Sequence, residues 1–539
     1  MLIQNHQTLA VCGAVPTWVL PRAPPTELFV TDFDQTLTLP DTITALATLT
    51  WEYHEKQSPG LDSHRQTWTN LAEAYNEDWK AYQRQWQEGL AHRYAQNQAT
   101  CEPSPVNQSA SGSEKDGQVQ CLTLSDLGDY LVGLDAVESR SLHRIVESDF
   151  FRGVDRQTIL SYGAANIVMQ SGAIDAIRHW LHNETDISYT EHPWQQPWTS
   201  SISSVVNAVA VGGNAAPKTP GLKDQPTTSA SATLVEQAPT GTSKAEPRRR
   251  DWAILSVNWS RDLILGALLP LFDLAYQPAA PDAATVRQRI AEDHQPLDQQ
   301  PCVGFSSELY QYLVNKVYCN DLDYSLTKQE SAPGASDTPN QIPSAAPLHK
   351  TPQLQYHATG TMTAPLRTGV DKLVTFRKVV SQHNLNLKLY NLYSAVQVYR
   401  SDRPAQHILT SEADEAPALA NGLDVLSIYA GDSVNDLFCL LEADVGIVVG
   451  NDKELNRWCQ DLGVEISNVL PPYHSLTVVS NVKEANITPR RQYTLRKKPV
   501  HQPLVMKDAY DRQIPLPSTL GPIYRLTNWE QFQSWISTT

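Results

Sequence analysis

The chain opens its ordered pattern with Leu28-Phe29-Val30-Thr31, a short apolar run that breaks off at acidic residues. That is the signature of a buried strand with a loop at its C-terminal end. Trp252–Ser256, Lys316–Tyr318, Val425–Tyr429 and Val445–Val449 read the same way. Helical spacing follows several of them, over Arg261–Phe272, Lys372–Gln382 and Asp436–Ala443. Strand-then-helix alternation predicts an α/β, Rossmann-like fold with a doubly wound parallel sheet. In such sheets the functional loops gather at the carboxyl ends of the strands.

The stretch 41–181 differs, being helical almost throughout. Trp68, Leu71, Tyr75, Trp79, Tyr82 and Trp86 recur three or four residues apart, so they share one face of a long helix. The stripe reads either as a helix packing into a small helical domain or as a wall whose end lines a pocket for a flat substrate.

Composition shortens the globular part. Apolar residues are 41% of the 539, below the usual ~45–50%, and proline (36) outnumbers glycine (25). The stretches at about 98–119, 199–248 and 328–364 are rich in Ser, Thr, Ala, Pro and Gly, and read as disordered low-complexity insertions. The net charge of −16 argues against nucleic acid as a partner, and the one basic cluster, Arg490–Lys498, is short. No apolar run reaches the ~18–20 residues of a membrane span, so no membrane partner is expected. Seven scattered cysteines without CxxC spacing argue against a disulfide framework or a zinc site and for a reducing compartment. The first 25 residues lack the basic start and unbroken apolar block of a secretory leader. Cytoplasm or nucleus is the expected location.

The candidate chemistry lies in four short motifs. In Asp32-Phe33-Asp34-Gln35-Thr36, two carboxylates two apart follow a buried strand. Crowded at its end they repel unless a cation sits between them, and an all-oxygen ligand set suits Mg²⁺. Gly431-Asp432-Ser433-Val434-Asn435-Asp436 brings two more carboxylates to another strand end. Ser256 closes a strand, with Asn258 and Trp259 opening the next helix, and a hydroxyl beside helix N-terminal amides makes an anion site. Lys372 opens a further helix, where a lysine is a point charge for phosphate. Each motif alone is an ordinary strand end, turn, helix cap or surface lysine. Their order and placement together are specific.

Asp-x-Asp-x-Thr, then Ser, then Lys, then Gly-Asp-Ser-x-x-Asp is the four-motif signature of the haloacid-dehalogenase (HAD) superfamily, which the sequence resembles. Asp34 places the resemblance in the phosphotransfer branch. The run from Asp436 to Gly450, Ser256–Ile264 and Asp371-Lys372 are similar to the HAD domain of plant proteins that fuse a TenA-type portion to a thiamin monophosphate phosphatase. Fungal HAD-like hydrolases also look similar, because they share long low-complexity insertions. The likeness covers about 26–48, 250–326 and 366–465.

The resemblance implies roles. Asp32 is the expected nucleophile and Asp34 the general acid and base. Lys372 and Ser256 are expected to hold phosphate oxygens, with Asn258 and Trp259 near the leaving group and Thr36 ordering the loop. Mg²⁺ is the implied cofactor, held by the Asp32 carboxylate, the Asp34 backbone carbonyl and Asp432, with Asp436 completing the metal site by orienting Lys372 or a metal-bound water. The implied organisation is a HAD core begun by 1–40, a helical cap over 41–165 and the rest of the core over 166–539. The function that follows is hydrolysis of a small-molecule phosphate ester, such as thiamin monophosphate, through an aspartyl-phosphate. A non-catalytic scaffold recruiting protein partners through its insertions, and a phosphotransferase to an alcohol, are the other readings.

Overall fold

The computed structural model describes residues 26–39, 41–59, 63–100, 122–182, 249–273, 307–328, 354–401, 424–473, 476, 498–499, 505–507, 512–517, 519–520 and 522–537. Its strands are β1 (Glu27–Thr31), β2 (Arg250–Leu255), β3 (Val317–Tyr318), β4 (Asp321–Lys328), β5 (Leu354–Thr363), β6 (Leu426–Gly431), β7 (Val445–Val449), β8 (Ile466–Ser467), β9 (Lys498–Pro499), β10 (Val505–Lys507), β11 (Gln513–Pro515), β12 (Thr519–Leu520) and β13 (Ile523–Leu526). The helices are α1 (Thr42–Gln57), α2 (Ser63–Thr100), α3 (Leu124–Glu147), α4 (Arg156–Asn166), α5 (Ala173–His182), α6 (Arg261–Asp273), α7 (Ser307–Val314), α8 (Gly369–Ser401), α9 (Leu437–Glu442), α10 (Lys453–Asp461) and α11 (Trp529–Ser537).

Seven strands form one sheet in the order β3-β2-β1-β6-β7-β13-β8, and every neighbouring pair is parallel. Alternation along β1 and β2 explains their unbroken apolar runs. Phe29, Trp252 and Ile254 face one buried layer with α5, α6 and α11. Leu28, Val30, Ala253 and Leu255 face the other, with α3, α8 and α9. A sheet covered on both faces needs apolar residues at every position. The α/β expectation therefore holds.

Strand β13 enters the sheet between β7 and β8, although no apolar run in the sequence announces it. A second departure concerns the stretch 328–364. Its last part is ordered: Leu354–Thr363 is β5, the antiparallel partner of β4. Thr, Gln and His on an edge hairpin carry little of the apolar signal that marks core strands. Residues 98–100 likewise belong to α2. Lys328 is the last residue of β4, and residues 101–119, 199–248 and 329–353 lie outside the described residues.

The helical stretch is held to the sheet at several points. The aromatic stripe of α2 runs along both buried layers, with Trp68 and Leu71 against the first and Tyr75, Trp79, Tyr82 and Trp86 against the second. Trp68 stacks on Phe150 at 5.5 Å and meets the edge of Trp259 at 6.3 Å. Trp86 lies 5.4 Å from Tyr130 and 6.2 Å from Trp458. Helix α4 crosses α6 almost backbone to backbone: a Cβ on Gly163 would lie 2.4 Å from the Leu263 carbonyl, and one on Gly266 2.1 Å from that of Leu160. The β4–β5 hairpin reaches the same stretch, with Gly153 N donating to Ala358 O at 2.8 Å and Ala358 N to Val154 O at 2.9 Å.

Candidate active site

The loop after β1 turns tightly, with Leu37 N and Thr38 N both donating to Phe33 O, at 2.9 and 3.1 Å. Gln35 sits at φ +56°, in the left-handed region that non-glycine residues seldom adopt. Neighbours hold it there. Gln170 Nε2 donates to the Gln35 carbonyl, Gln170 N to Leu37 O at 2.7 Å, and Trp529 Nε1 to Thr36 O at 3.1 Å. Strain of this kind persists only where its surroundings over-determine it, and it collects at functional sites.

Two polar clusters flank the loop. The first is built around Lys372, whose ammonium is buried 2.9 Å from Asp32 Oδ1 and 2.8 Å from Asp436 Oδ1. Tyr429 OH also donates to Asp436 Oδ1, at 2.8 Å. The other oxygen, Oδ2, accepts from Asp432 N, Ser433 N and Ser433 Oγ at 2.9–3.2 Å. Gly431 is required by this turn, because a Cβ there would sit 2.4 Å from Asp436 Cγ. Asp432 Oδ1 accepts from Thr36 Oγ1 at 2.8 Å. Carboxylate oxygens of Asp32, Asp432 and Asp436 all lie within 4.8 Å of one another.

The second cluster is built around Asp34. Its Oδ1 accepts from the N–H of Thr42 at 3.0 Å and from the Thr42 hydroxyl. Its Oδ2 accepts from Ser256 Oγ at 3.2 Å and from Asn258 Nδ2 at 3.4 Å. Ser256 Oγ in turn accepts from Asn258 N at 3.0 Å, and Asn258 Nδ2 also meets the Thr42 hydroxyl.

Burial dominates the electrostatics. It pushes the Asp32 carboxyl well above the ordinary range, against the pull of the Lys372 ammonium and with the Asp436, Asp432 and Asp34 charges adding to the rise. Burial and then the Asp436 charge push Asp432 up to about 7. Burial raises Asp34 despite the Thr42 and Asn258 donors. Lys372 stays protonated, because the Asp32 and Asp436 charges outweigh its own burial.

Eight of the nine candidates, all but Trp259, thus converge on the carboxyl ends of β1, β2 and β6 and the start of α8. They divide unevenly. Asp32, Asp432, Asp436, Lys372 and Thr36 form one set; Asp34, Ser256 and Asn258 form the other. The Asp34 side chain is turned away from the three-carboxylate cluster. Asp436 has both oxygens taken by protein donors, which makes it the anchor of Lys372 and of the Asp432 turn. Trp259 packs against Trp68 and Phe151. Thr42 and Tyr429 are site residues that the motifs do not reveal. Thr42 follows the helix-capping Asp41 and looks like an ordinary first-turn residue, and Tyr429 reads as one more apolar position of its strand.

No protein-family model matches the chain. Over 90 residues, 17% of its length, it is 37% identical to the bifunctional TH2 protein, mitochondrial, of Arabidopsis thaliana. The chain is similar to one part of that protein. The match spans 13% of the relative's own length. Among the described residues, no helix is long and apolar enough to cross a membrane.

Proposed function

We propose that the chain is a Mg²⁺-dependent phosphomonoester hydrolase of the HAD type, acting on a small metabolite through an aspartyl-phosphate. One observation carries the reading: a buried lysine and the carboxylates of Asp32, Asp432 and Asp436, brought from two neighbouring strand ends, converge around a single point. Acids that repel at this range are costly without a cation, and their hard oxygen atoms suit Mg²⁺. Asp32 and Asp432 are the residues that would hold it. When bound, the ion offsets the repulsion between an anionic nucleophile and an anionic phosphate.

The protein groups do the rest. An Asp32 oxygen attacks phosphorus as the bond from phosphorus to the ester oxygen breaks. Asp34, raised by burial, carries the proton that the departing oxygen takes, then accepts one from the water that attacks the aspartyl-phosphate. That second step frees phosphate and restores Asp32. Thr42, Ser256 and Asn258 donate to the two Asp34 oxygens, fixing the orientation of the carboxyl and stabilising it once its proton has left. In this reading Lys372 and the Ser256 hydroxyl stabilise the charge that spreads over the phosphoryl oxygens. The helical stretch over this face is a cap in this reading, and excludes water. Thiamin monophosphate heads the candidate substrates on the strength of the motif resemblance.

The test is phosphate release by the wild type and Asp32→Asn, with and without Mg²⁺, over a metabolite panel that includes thiamin monophosphate. Mg²⁺-dependent turnover should fall by several orders of magnitude in the variant. If Asp32→Asn keeps more than roughly a tenth of the wild-type rate, Asp32 is not the nucleophile. No release from any ester by the wild type returns the chain to the scaffold reading.

A further inference from the structure

Asn320 belongs to none of the four motifs, yet it touches two of the segments that carry them. It lies between β3 and β4 and is 1% exposed. Its Nδ2 group donates to Val257 O at 2.9 Å and to Leu366 O at 2.6 Å, using both N–H bonds on two different segments. Its Oδ1 accepts from Leu366 N at 2.8 Å, and its own N–H donates to Asn258 O at 3.1 Å. The side chain therefore pairs with both backbone groups of Leu366, as a strand neighbour would, while also holding the turn after β2.

Both segments lead directly to chemistry. The turn 256–258 presents Ser256 and Asn258 to Asp34. From Leu366 the chain runs through Thr368, whose carbonyl accepts from Lys372 N at 3.0 Å, into the first turn of α8. Gly369 N donates to Asn435 Oδ1 at 3.2 Å, which ties this turn to the Asp432–Asp436 loop. Asn320 is thus the staple between the Asp34 cluster and the Lys372 cluster. Only an amide of this length supplies two donors and one acceptor here. A carboxylate would face two carbonyls without a donor, and an apolar side chain would leave three buried backbone groups unpaired.

We infer that Asn320 is a positioning residue, setting the distance between the Ser256–Asn258 turn and Lys372 so that both reach the same phosphoryl group. The inference rests on the phosphatase reading. Misplacing such groups by about 1 Å costs on the order of a hundredfold in rate.

The test uses the full chain with Mg²⁺ and 4-nitrophenyl phosphate, and inorganic phosphate as inhibitor. Asn320→Ala should lower kcat/KM about 30- to 100-fold and raise the inhibition constant for inorganic phosphate about tenfold. Partial unfolding would lower kcat alone, because the folded fraction would still bind phosphate normally. In a Ser256→Ala background the factor from Asn320→Ala should shrink clearly, since the two act on one arrangement. Asn320→Ser, which leaves room for a bridging water, is the second variant should the alanine chain not fold. An unchanged inhibition constant in the folded variant, or factors that simply multiply, overturns the assignment and leaves the phosphatase reading intact. A wild type that neither cleaves the ester nor binds inorganic phosphate by calorimetry overturns both.

Discussion

Glu138 on α3 is a half-buried carboxyl that accepts from Tyr75 OH at 2.8 Å, with the Asp135 charge nearby. Burial pushes it up to about 7 from 4.5. Between those two values the folded chain holds a proton that the unfolded chain releases, so this group's contribution to stability falls as pH rises, and above about 7 the penalty is complete. Glu138→Gln removes the penalty and keeps an acceptor for Tyr75. The variant should therefore melt higher than wild type at pH 8, by on the order of 1–3 kcal/mol, with the gain shrinking towards pH 5. A gain that is the same at both pH values would mean that charge is not the cause. Thr42→Val should act elsewhere: it strips a hydroxyl from Asp34, and the phosphatase reading expects a loss of roughly tenfold or more in turnover at little cost in folding. Asp32, Asp34 and Asp432 were legible in the sequence because they sit at fixed short offsets from strand ends. Thr42, Tyr429 and Asn320 were not, because nothing local distinguishes a first-turn threonine, a strand tyrosine or a loop asparagine until three distant segments meet.

Among the elements, legibility followed apolar content. Strand β7 was readable to the residue, and β1 and β2 to within two, since burial on both faces forces continuous apolar runs. The β4–β5 hairpin carries Thr359, Thr361 and Thr363, whose hydroxyls bond to Asp323 backbone or carboxylate at 2.8–3.1 Å, and so it resembles the low-complexity chain before it. The α4–α6 crossing was invisible for another reason: two lone glycines in separate helices mean nothing until they meet. There the prediction is steric. Gly163→Ala drives a methyl group into the Leu263 carbonyl, and the helices must part. Unfolding in urea should show a loss of about 1–3 kcal/mol, the range for overpacking a tight contact. A neutral outcome would mean that the two backbones are not so close.

At the scale of the whole molecule, the sheet is assembled from pieces far apart in the chain. β13 follows every candidate catalytic residue in the sequence, yet it pairs β7 over Ile523–Leu526 and carries β8. Helix α11 then covers Phe29, and its Trp529 holds the Thr36 carbonyl. Removing residues 522–539 should therefore abolish folding rather than trim a tail, read as loss of the cooperative thermal transition. A truncated chain that melts like wild type would contradict that pairing. The hairpin adds a consequence of another kind. The middle of β5 is laced to residues 153–154, and its C-terminal end runs into the turn that presents Lys372. The phosphatase reading therefore expects an anion held at Lys372 to add order at the amides of Gly153 and Ala358, and such linkage is reciprocal. Phosphate should slow hydrogen exchange at those two amides, and any molecule that grips the outer edge of the hairpin should, by the same free energy, tighten or loosen the hold on phosphate.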